Sequence, residues 1–392
     1  MEQFEWMAPC HFGMEAVLKR EITDLGYEIT EVENGRVTFS GGIEALVRAN
    51  IFLRTTERIL LKVADFQAQT FDELFEGVKA LPWERFIPHD GKFWVAKANS
   101  VSSKLFSPSD IQKIVKKAMV ERLKQTCQTD WFSESGAAYP LRLSIIKDKV
   151  TIGLDTTGES LHKRGYRKFT APAPLTETLA AAILLLSPWK ADRQLVDPFC
   201  GSGTIPIEAA MIGMDMAPGM NRSFTAEDWK NLVPKKLWYE AAEEANDRLR
   251  GDIDLHIQGY DISDEALRMA RANAALAGVE GKIHWQQRDV KDFSHPKKYG
   301  FVVTNPPYGE RLSAKEEMYS LYQTVGQAIA DNDTWSFFVL SGYENAQQAL
   351  AAGGAPKKAT KNRKIYNGMM KTYLYQYMGA KPPRRKETVK NE

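Results

Sequence analysis

Two stretches in the second half of the chain place residues that could do chemistry at close spacing. The first is D-P-F-C-G-S-G-T, in which Asp197 ends a predicted buried strand and two glycines, Gly201 and Gly203, lead into a predicted helix. Glycine is required where a ligand approaches the backbone closely or where a turn needs a positive φ. Open α/β sheets bind ligands at the carboxyl ends of their strands, so this turn predicts a ligand site.

The identity of the ligand is narrowed by what the turn lacks. A P-loop requires G-x-x-x-x-G-K-[ST], and this turn has no lysine. A dinucleotide fingerprint requires G-x-G-x-x-G, and Pro206 stands where the third glycine would be. An acidic residue at the head of the turn suits a cationic ligand, and S-adenosylmethionine carries an ammonium beside its sulfonium. We therefore predict S-adenosylmethionine as the cofactor, with Asp197 facing its amino-acid portion.

Two further carboxylates follow the next two predicted strands. Asp261 ends the strand that begins at His256 and could accept hydrogen bonds from both ribose hydroxyls. Asp289 follows the third strand and is either a ligand of the adenine amino group or a polar loop residue. Because about 20 residues usually separate the glycine turn from the ribose carboxylate, we interpret residues 213–255 as an inserted helical segment.

The second stretch is N-P-P-Y, residues 305–308, at the end of a fourth predicted strand. An exocyclic base amine is a poor nucleophile because its lone pair is delocalised into the ring. The Asn305 side-chain oxygen and the Pro306 carbonyl could accept its hydrogens, and Pro307 would hold that carbonyl rigidly. Tyr308 offers a face on which an extruded base can stack. This stretch predicts methyl transfer to an exocyclic base amine.

Cys200 raises an alternative, because methylation at carbon 5 of a pyrimidine uses a cysteine nucleophile. That cysteine usually lies in the loop after the fourth strand, where this chain has none. We expect Cys200 to pack within the cofactor turn as a small, soft side chain.

The composition excludes several other classes of protein. Three scattered cysteines and no clustered histidines argue against a disulfide framework and against a metal site, and they fit a reducing cytoplasm. The longest apolar stretch, Leu179–Leu186, is too short to cross a membrane, and the N-terminus lacks a signal-peptide pattern. A chain of 392 residues is long enough for two folding units.

Positive charge is concentrated in particular zones, although the formal net charge is only +2. One zone, residues 101–170, has a net charge of +6, and a second, from Lys357 to Lys390, carries eleven lysines or arginines against one glutamate. We expect the C-terminal tail, residues 381–392, to be disordered. Basic zones on a near-neutral protein can bind a polyanion. The candidates for phosphate contacts are Lys163, Arg164, Arg167, Lys168, Lys361, Arg363 and Lys364.

The elements that must position these residues change character along the chain. The first 160 residues alternate short strands and helices in an α+β pattern, with hairpin turns at Asn34-Gly35 and Lys147-Asp148 and a capping box at Thr70. An apolar helix, Leu175–Leu186, follows a basic linker, residues 161–174. Strands and helices then alternate, which is typical of a parallel sheet with helices on both faces.

At these residues the chain resembles the THUMP-domain RNA methyltransferases, in particular a single-module relative of the bacterial 23S ribosomal RNA guanine-N2 methyltransferase. The two most specific strings are D-P-F-C-G-S-G-T-I-P-I-E-A-A and T-N-P-P-Y-G-E-R-L. The linker L-H-K-R-G-Y-R, the helix A-P-L-T-E-T-L-A and the turn R-K-I-Y-N-G before the C-terminus extend the resemblance over almost the whole chain.

The resemblance implies a ferredoxin-like lobe over residues 1–60, overlapping a THUMP domain over residues 45–160 that binds structured RNA. It implies a Rossmann-like class I methyltransferase domain over residues 175–380, with a mostly parallel sheet and a final antiparallel hairpin strand. It implies a base site formed by Asn305, Pro306, Pro307 and Tyr308. The cofactor contacts that it implies are Asp197, Phe199, Gly201, Gly203, Thr204, Asp261, Ile262, Asp289 and Asn305.

Several substrates stay open on the sequence. Guanine N2 of 23S ribosomal RNA is favoured by the G-E-R-L continuation and the THUMP-like lobe. N-P-P-Y also occurs in adenine-N6 DNA enzymes, and other members of the family modify transfer RNA. A non-catalytic RNA-binding assembly factor is a further alternative. The long members of the family carry a second methyltransferase module that this chain lacks, so no paired activity is expected.

Overall fold

A computed structural model describes residues 2–128, 132–169, 175–308, 315–368 and 370–383. The G-E-R-L continuation, most of the basic tail and the A-P at the start of the string A-P-L-T-E-T-L-A lie outside these residues. The chain forms two compact units. The first comprises Met1–Cys10, Met14–Arg164 and Ala217–Arg248, and the second comprises His11–Gly13, Gly165–Met216 and Leu249–Glu392.

The first unit is built around one seven-stranded sheet with the strand order β2-β3-β1-β4-β7-β6-β5. Its strands are β1 (Phe4–Pro9), β2 (Glu28–Glu33), β3 (Arg36–Gly41), β4 (Leu60–Gln67), β5 (Lys92–Val101), β6 (Ala138–Ile146) and β7 (Lys149–Asp155). Its helices are α1 (Glu15–Asp24), α2 (Ile43–Phe52), α3 (Phe71–Lys79), α4 (Pro108–Cys127) and α7 (Lys235–Arg248). The hairpins at Asn34-Gly35 and Lys147-Asp148 are confirmed.

A capping box marks the start of α3, and a pairing between two strands joins the parts of this unit into one sheet. Thr70 and Glu73 form the expected capping box, which satisfies backbone N–H groups at the start of α3. β1 pairs with β4 through Trp6 and Leu61, so the strands before and after α2 belong to one continuous sheet. The ferredoxin-like and THUMP regions that the sequence predicted therefore share a sheet.

Residues 217–248 belong to the first unit, although their neighbours on both sides in the sequence belong to the second. The Trp229 ring stacks on Tyr139 with centroids 4.9 Å apart, and its indole N–H donates to the Ala138 carbonyl at 2.8 Å. Glu244 on α7 accepts two hydrogen bonds from the Arg48 guanidinium at 2.7 and 2.8 Å. The sequence predicted an inserted helical segment over residues 213–255, and the structure assigns residues 217–248 of it to the N-terminal unit.

The second unit contains a seven-stranded sheet with the order β10-β9-β8-β11-β12-β14-β13. Its strands are β8 (Leu195–Asp197), β9 (Ile257–Asp261), β10 (Ile283–Gln287), β11 (Phe301–Thr304), β12 (Ser336–Ser341), β13 (Lys361–Asn367) and β14 (Met370–Tyr377). Its helices are α5 (Glu177–Leu186), α6 (Thr204–Gly213), α8 (Asp264–Leu276), α9 (Lys315–Asp331) and α10 (Ala346–Ala352). β8 to β12 pair in parallel, and β14 runs antiparallel to both of its neighbours. This mostly parallel sheet with a final antiparallel hairpin confirms the predicted fold class.

The strand order places a topological switch point beside β8. From β8 the chain proceeds outward to β9 and β10, and it then returns to add β11 and β12 on the other side. Ligands of open α/β sheets bind at such a point, beyond the carboxyl ends of the strands.

Among the residues that the structure describes, no helix has the length and apolar character needed to span a membrane.

Candidate active site

The Asp197 turn and the Asn305 turn follow neighbouring strands at one edge of the sheet. β8 and β11 pair in parallel, with Leu195 opposite Phe301 and Val196 opposite Val302. The Thr304 hydroxyl, at the end of β11, donates to Asp197 Oδ1 at 2.7 Å. The structure therefore brings the two chemically distinctive stretches of the sequence together.

Asp197 is a buried carboxylate, only 2% exposed. Burial raises its pKa to about 7, and the nearby Asp261 raises it as well, against the lowering effect of hydrogen bonds from Thr304 and the Phe199 backbone N–H. A carboxylate desolvated in this way has a charge that a cationic ligand would stabilise. This property fits the ammonium of S-adenosylmethionine.

The two glycines of the turn serve different purposes. Gly203 has a φ of +89°, and a Cβ atom on it would lie 2.9 Å from the Trp285 ring and 3.0 Å from the Ala270 side chain. Gly203 therefore allows the turn to pack against the domain. Gly201 has a φ of +52°, and a Cβ atom there would meet nothing within 4 Å. Open space beside a backbone in this conformation fits the close approach of a cofactor.

Asp261 ties the second strand end to the glycine turn. Its Oδ2 atom accepts a hydrogen bond from the Gly201 backbone N–H at 3.0 Å, and Oδ1 accepts one from the Ser263 N–H at 2.9 Å. Ser263 is the N-cap of α8, and its side-chain oxygen accepts a hydrogen bond from the Ala266 N–H. Ile262 is 68% exposed beside this carboxylate. Asp289 is about half-exposed at the end of β10 and accepts a hydrogen bond from the Lys291 N–H at 3.0 Å.

The remaining residues of the glycine turn pack inward. Phe199 is half-buried, and Thr204 is buried at the first turn of α6. Cys200 is also buried, and burial raises the pKa of its thiol, followed by the effects of Asp197 and Asp261. Because the thiolate is the nucleophile of cysteine chemistry, a buried, protonated thiol fits the packing role that the sequence suggested.

The Asn305 turn places polar groups at the surface of the same edge. The Tyr308 hydroxyl donates a hydrogen bond to Asn305 Oδ1 within the turn. Burial raises the pKa of Tyr308 to about 12, so its hydroxyl stays protonated near neutral pH. Pro306 is buried and Pro307 is exposed, so the first proline anchors the turn. The Asn305 oxygen has two lone pairs and can accept a second hydrogen bond.

A strap, residues 165–169, lies behind the glycine turn in the same unit. Asn273 on α8 is 1% exposed and donates to the Ser202 carbonyl at 3.0 Å and to the Phe169 carbonyl at 2.9 Å. Its side-chain oxygen accepts hydrogen bonds from the backbone N–H groups of Lys168 and Phe169 at 3.3 Å each. One buried amide therefore joins the strap to the cofactor turn.

Two of the arginines predicted to bind phosphate instead pair with acceptors inside the protein. Arg164 is 2% exposed, and its guanidinium donates to the carbonyls of Leu161 and Arg54. Arg167 forms an ion pair with the buried Glu177 at 3.0 Å and donates to Thr204 Oγ1 at 2.7 Å. The prediction of phosphate contacts is wrong for both, because their charges are already engaged by internal acceptors.

The other predicted phosphate contacts differ in exposure. Arg363 is partly buried and donates to the Gly13 carbonyl at 2.7 Å, so part of its guanidinium is already hydrogen-bonded within the protein. Lys163 is exposed and pairs with the exposed Glu159. Lys168, Lys361 and Lys364 are exposed. These four lysines stay candidates for contacts with RNA.

Sequence reasoning missed Asn273, although a signal was present. Asparagine is a poor helix former, yet it stands among alanines in R-A-N-A-A on the buried side of α8. A polar residue on an apolar helix face predicts a buried hydrogen-bond partner.

Among the described residues, no group of three or more histidine, cysteine, aspartate or glutamate side chains could hold a metal ion.

Three family models match successive parts of the chain. A ferredoxin-like domain of the RlmL type matches residues 5–60, and a THUMP domain matches residues 68–155. The methyltransferase domain described as RMKL-like matches residues 164–375, which is more than half of the chain.

Curated relatives cover the whole chain or nearly so. The "Putative RNA methyltransferase YpsC" of Bacillus subtilis (strain 168) is 47% identical over 390 residues, with 99% of each chain covered. A "Ribosomal RNA large subunit methyltransferase K/L" of Syntrophotalea carbinolica is 34% identical over 93% of this chain. The chain spans about half, 52%, of that longer relative.

Solved structures share the fold at high identity. SMU.472, titled a "putative methyltransferase complexed with SAH", has a TM-score of 0.90 and 42% identity, and the match covers 98% of this chain and 100% of that one. A "predicted N6-adenine-specific DNA methylase" from Listeria monocytogenes has a TM-score of 0.89 and 45% identity, with 97% of each chain covered. Both structures are described as methyl-transferring enzymes, and only the second description names a target.

Proposed function

This chain belongs to the THUMP-containing, RMKL-like family of S-adenosylmethionine-dependent methyltransferases, and we propose that it methylates an exocyclic base amine in RNA. The target that we propose is guanine N2 in 23S ribosomal RNA, in the cytoplasm. The observation that carries the proposal is the Asn305 turn beside the Asp197 turn at one sheet edge.

The cofactor would be held by residues at the ends of three neighbouring strands. Asp197 would pair with the ammonium of its amino-acid portion, Gly201 would line its path, and Asp261 would accept hydrogen bonds from the ribose. Asp289 and Ile262 would border the adenine. When bound, S-adenosylmethionine supplies a methyl group that is already activated by the sulfonium, so the protein chiefly has to position the acceptor.

The Asn305 turn prepares the base amine that receives the methyl group. The Asn305 oxygen and the Pro306 carbonyl accept the two hydrogens of the base amine, which reduces delocalisation of the nitrogen lone pair into the ring. The Tyr308 hydroxyl shares the Asn305 oxygen and holds its side chain in place. Because these acceptors are fixed before the base enters, they need no reorganisation during the reaction.

The choice of RNA rests on other parts of the chain. The THUMP match and the names of the relatives support RNA, and the exposed lysines Lys163, Lys168, Lys361 and Lys364 could contact phosphates. The K/L relatives are named for large-subunit ribosomal RNA, which supports that substrate.

The proposal is tested by methylating RNA from a strain that lacks the gene. Purified protein and S-adenosylmethionine with a deuterated methyl group are incubated with that RNA, and its nucleosides are separated by mass spectrometry. Labelled N2-methylguanosine in 23S RNA is the expected product. Labelled N6-methyladenosine would move the target to adenine, and label in transfer RNA would move the substrate. No labelled nucleoside at all would favour a non-catalytic RNA-binding factor.

A further inference from the structure

A shallow pocket of about 330 Å³ lies in the second unit, near the carboxyl end of β12. It lies between α9 and the segment that follows β12. The side chains that line it come from two tyrosines, two amides, a serine and a carboxylate: Tyr319, Tyr343, Gln323, Asn345, Ser320 and Glu316.

The sheet order fixes where this pocket lies relative to the two turns. β12 is the neighbour of β11 on the side away from β8, so the pocket is beyond the Asn305 turn as seen from the cofactor turn. A Cβ atom on Gly342 would lie 3.3 Å from Cδ2 of Tyr308, so the Tyr308 ring lies against this glycine. The next residue, Tyr343, lines the pocket. The pocket therefore borders the place assigned to the target base.

The chemistry of the lining favours a flat, neutral ligand. Tyrosine rings provide surfaces on which bases stack. Gln323 and Asn345 each offer a donor and an acceptor, and Asn345, at the N-cap position of α10, makes no capping hydrogen bond. Among the residues that the structure describes, no lysine or arginine lines the pocket, and the Glu316 carboxylate would repel a phosphate. The volume is near the lower end of the ~300–1,000 Å³ that ligand sites occupy.

We propose that this pocket binds the base of the nucleotide adjacent to the target in the RNA strand. The inference rests on the proposed function and adds a second base subsite to it. Enzymes that extrude a base select it partly through its flanking nucleotides. A neighbouring base stacked on Tyr319 and Tyr343 would hold the strand while the target amine meets Asn305.

The test compares a one-base probe with two-base probes. Protein with carbon-13-labelled tyrosine is saturated with S-adenosylhomocysteine and titrated by NMR with guanosine monophosphate, and then with the dinucleotides GpA and ApG. The monophosphate is expected to shift Tyr308, and one dinucleotide is expected to shift Tyr319 and Tyr343 as well and to bind more tightly. Which dinucleotide does so identifies the side of the target that is read.

Variants connect the effect to the pocket. Tyr319→Ala and Gln323→Ala should each weaken binding of that dinucleotide, by about tenfold for the stacking residue. Binding of guanosine monophosphate and S-adenosylhomocysteine should not change. Tyr319→Phe should retain the affinity because it keeps the ring. Tyr239→Ala, which removes an exposed tyrosine of α7, is the matched control.

The inference is overturned if neither dinucleotide binds more tightly than the monophosphate, or if both alanine variants bind the dinucleotide normally. Failure of the proposed function has a different signature, since the wild-type protein would then form no N2-methylguanosine in RNA and guanosine monophosphate would leave Tyr308 unshifted.

Discussion

The Asp197 turn and the Asn305 turn end neighbouring parallel strands, but the protein holds them by different means. The Asp197 turn is fixed by distant parts of its unit: Thr304 and Asp261 bond to it, Asn273 holds Ser202, and Trp285 packs behind Gly203. The Asn305 turn depends chiefly on its own residues, through two prolines and the hydrogen bond between Tyr308 and Asn305, with Gly342 as a distant residue packed against the Tyr308 ring. We therefore expect remote substitutions to affect cofactor affinity and local ones to affect methyl transfer.

The largest effect is expected at Asn305. Asn305→Ala removes an acceptor for the base amine, so turnover should fall about 100-fold or more, the cost of losing a preorganised electrostatic contact. Calorimetry should find S-adenosylmethionine affinity within about twofold of wild type. Asn362→Ala, at an exposed position of β13, is the control and should change neither quantity. Full activity in Asn305→Ala would remove the assigned role.

The next effect is a pH dependence that originates in Asp197. Its pKa is raised from 3.8 to about 7 in the folded protein, so without cofactor the folded state retains this proton where the unfolded state has lost it. The contribution of Asp197 to the free energy of unfolding therefore declines as pH rises from about 4 to about 7.

Cofactor affinity should move in the opposite direction, since pairing with the ammonium requires ionised Asp197. The affinity for S-adenosylhomocysteine should rise roughly tenfold between about pH 5.5 and pH 7. Isothermal titration at several pH values measures this slope. Asp197→Asn should bind weakly and lose the slope, and a wild-type affinity that is flat with pH would exclude the assigned ion pair.

A smaller effect is expected when the strap is released. Asn273→Asp keeps the oxygen that accepts from Lys168 and Phe169 but loses the donors to Ser202 and Phe169. The loss of about 1 kcal/mol of hydrogen bonding should weaken S-adenosylmethionine binding about fivefold, with turnover at saturation unchanged. The same change at exposed Asn362 should have no effect. Unaltered affinity in Asn273→Asp would mean that the turn does not depend on the strap.

The smallest effect is expected far from both turns. Thr70→Ala breaks the capping box of α3 and should lower the stability of the first unit by about 1 kcal/mol. Cofactor affinity should stay at the wild-type value, which thermal unfolding and calorimetry together can establish. A loss of cofactor affinity would show that the Asp197 turn depends on the first unit as well as on its own unit.

The features predicted well from sequence were those encoded within a few residues. The glycine turn, the N-P-P-Y turn, the Thr70 capping box and the hairpin at Asn34-Gly35 each depend on local backbone requirements. The parallel sheet followed from alternating apolar strands and helices, and the order of its strands brought Asp197 and Asn305 together.

The features that sequence reasoning missed depend on contacts between distant residues. The basic character of Arg164 and Arg167 suggested phosphate binding, but whether an arginine reaches solvent depends on the acceptors around it. The Arg54 carbonyl that accepts from Arg164 is far away in the sequence, and nothing local marked Glu177 as the partner of Arg167. The sequence predicted an insertion over residues 213–255, yet nothing local indicated that Trp229 would stack on Tyr139. The pocket at Tyr319 and Tyr343 likewise requires two separate segments to meet.

We assign cofactor binding to the Asp197 turn and preparation of the base amine to the Asn305 turn. This assignment is tested most directly by the single-turnover rate of methyl transfer at saturating S-adenosylmethionine. Asp261→Asn should bind the cofactor less tightly but transfer the methyl group within about threefold of the wild-type rate once saturated, since it lies in the cofactor half. Asn305→Ala should remain about 100-fold slower under the same conditions. Equal losses in both variants, or a normal rate in Asn305→Ala, would contradict the account.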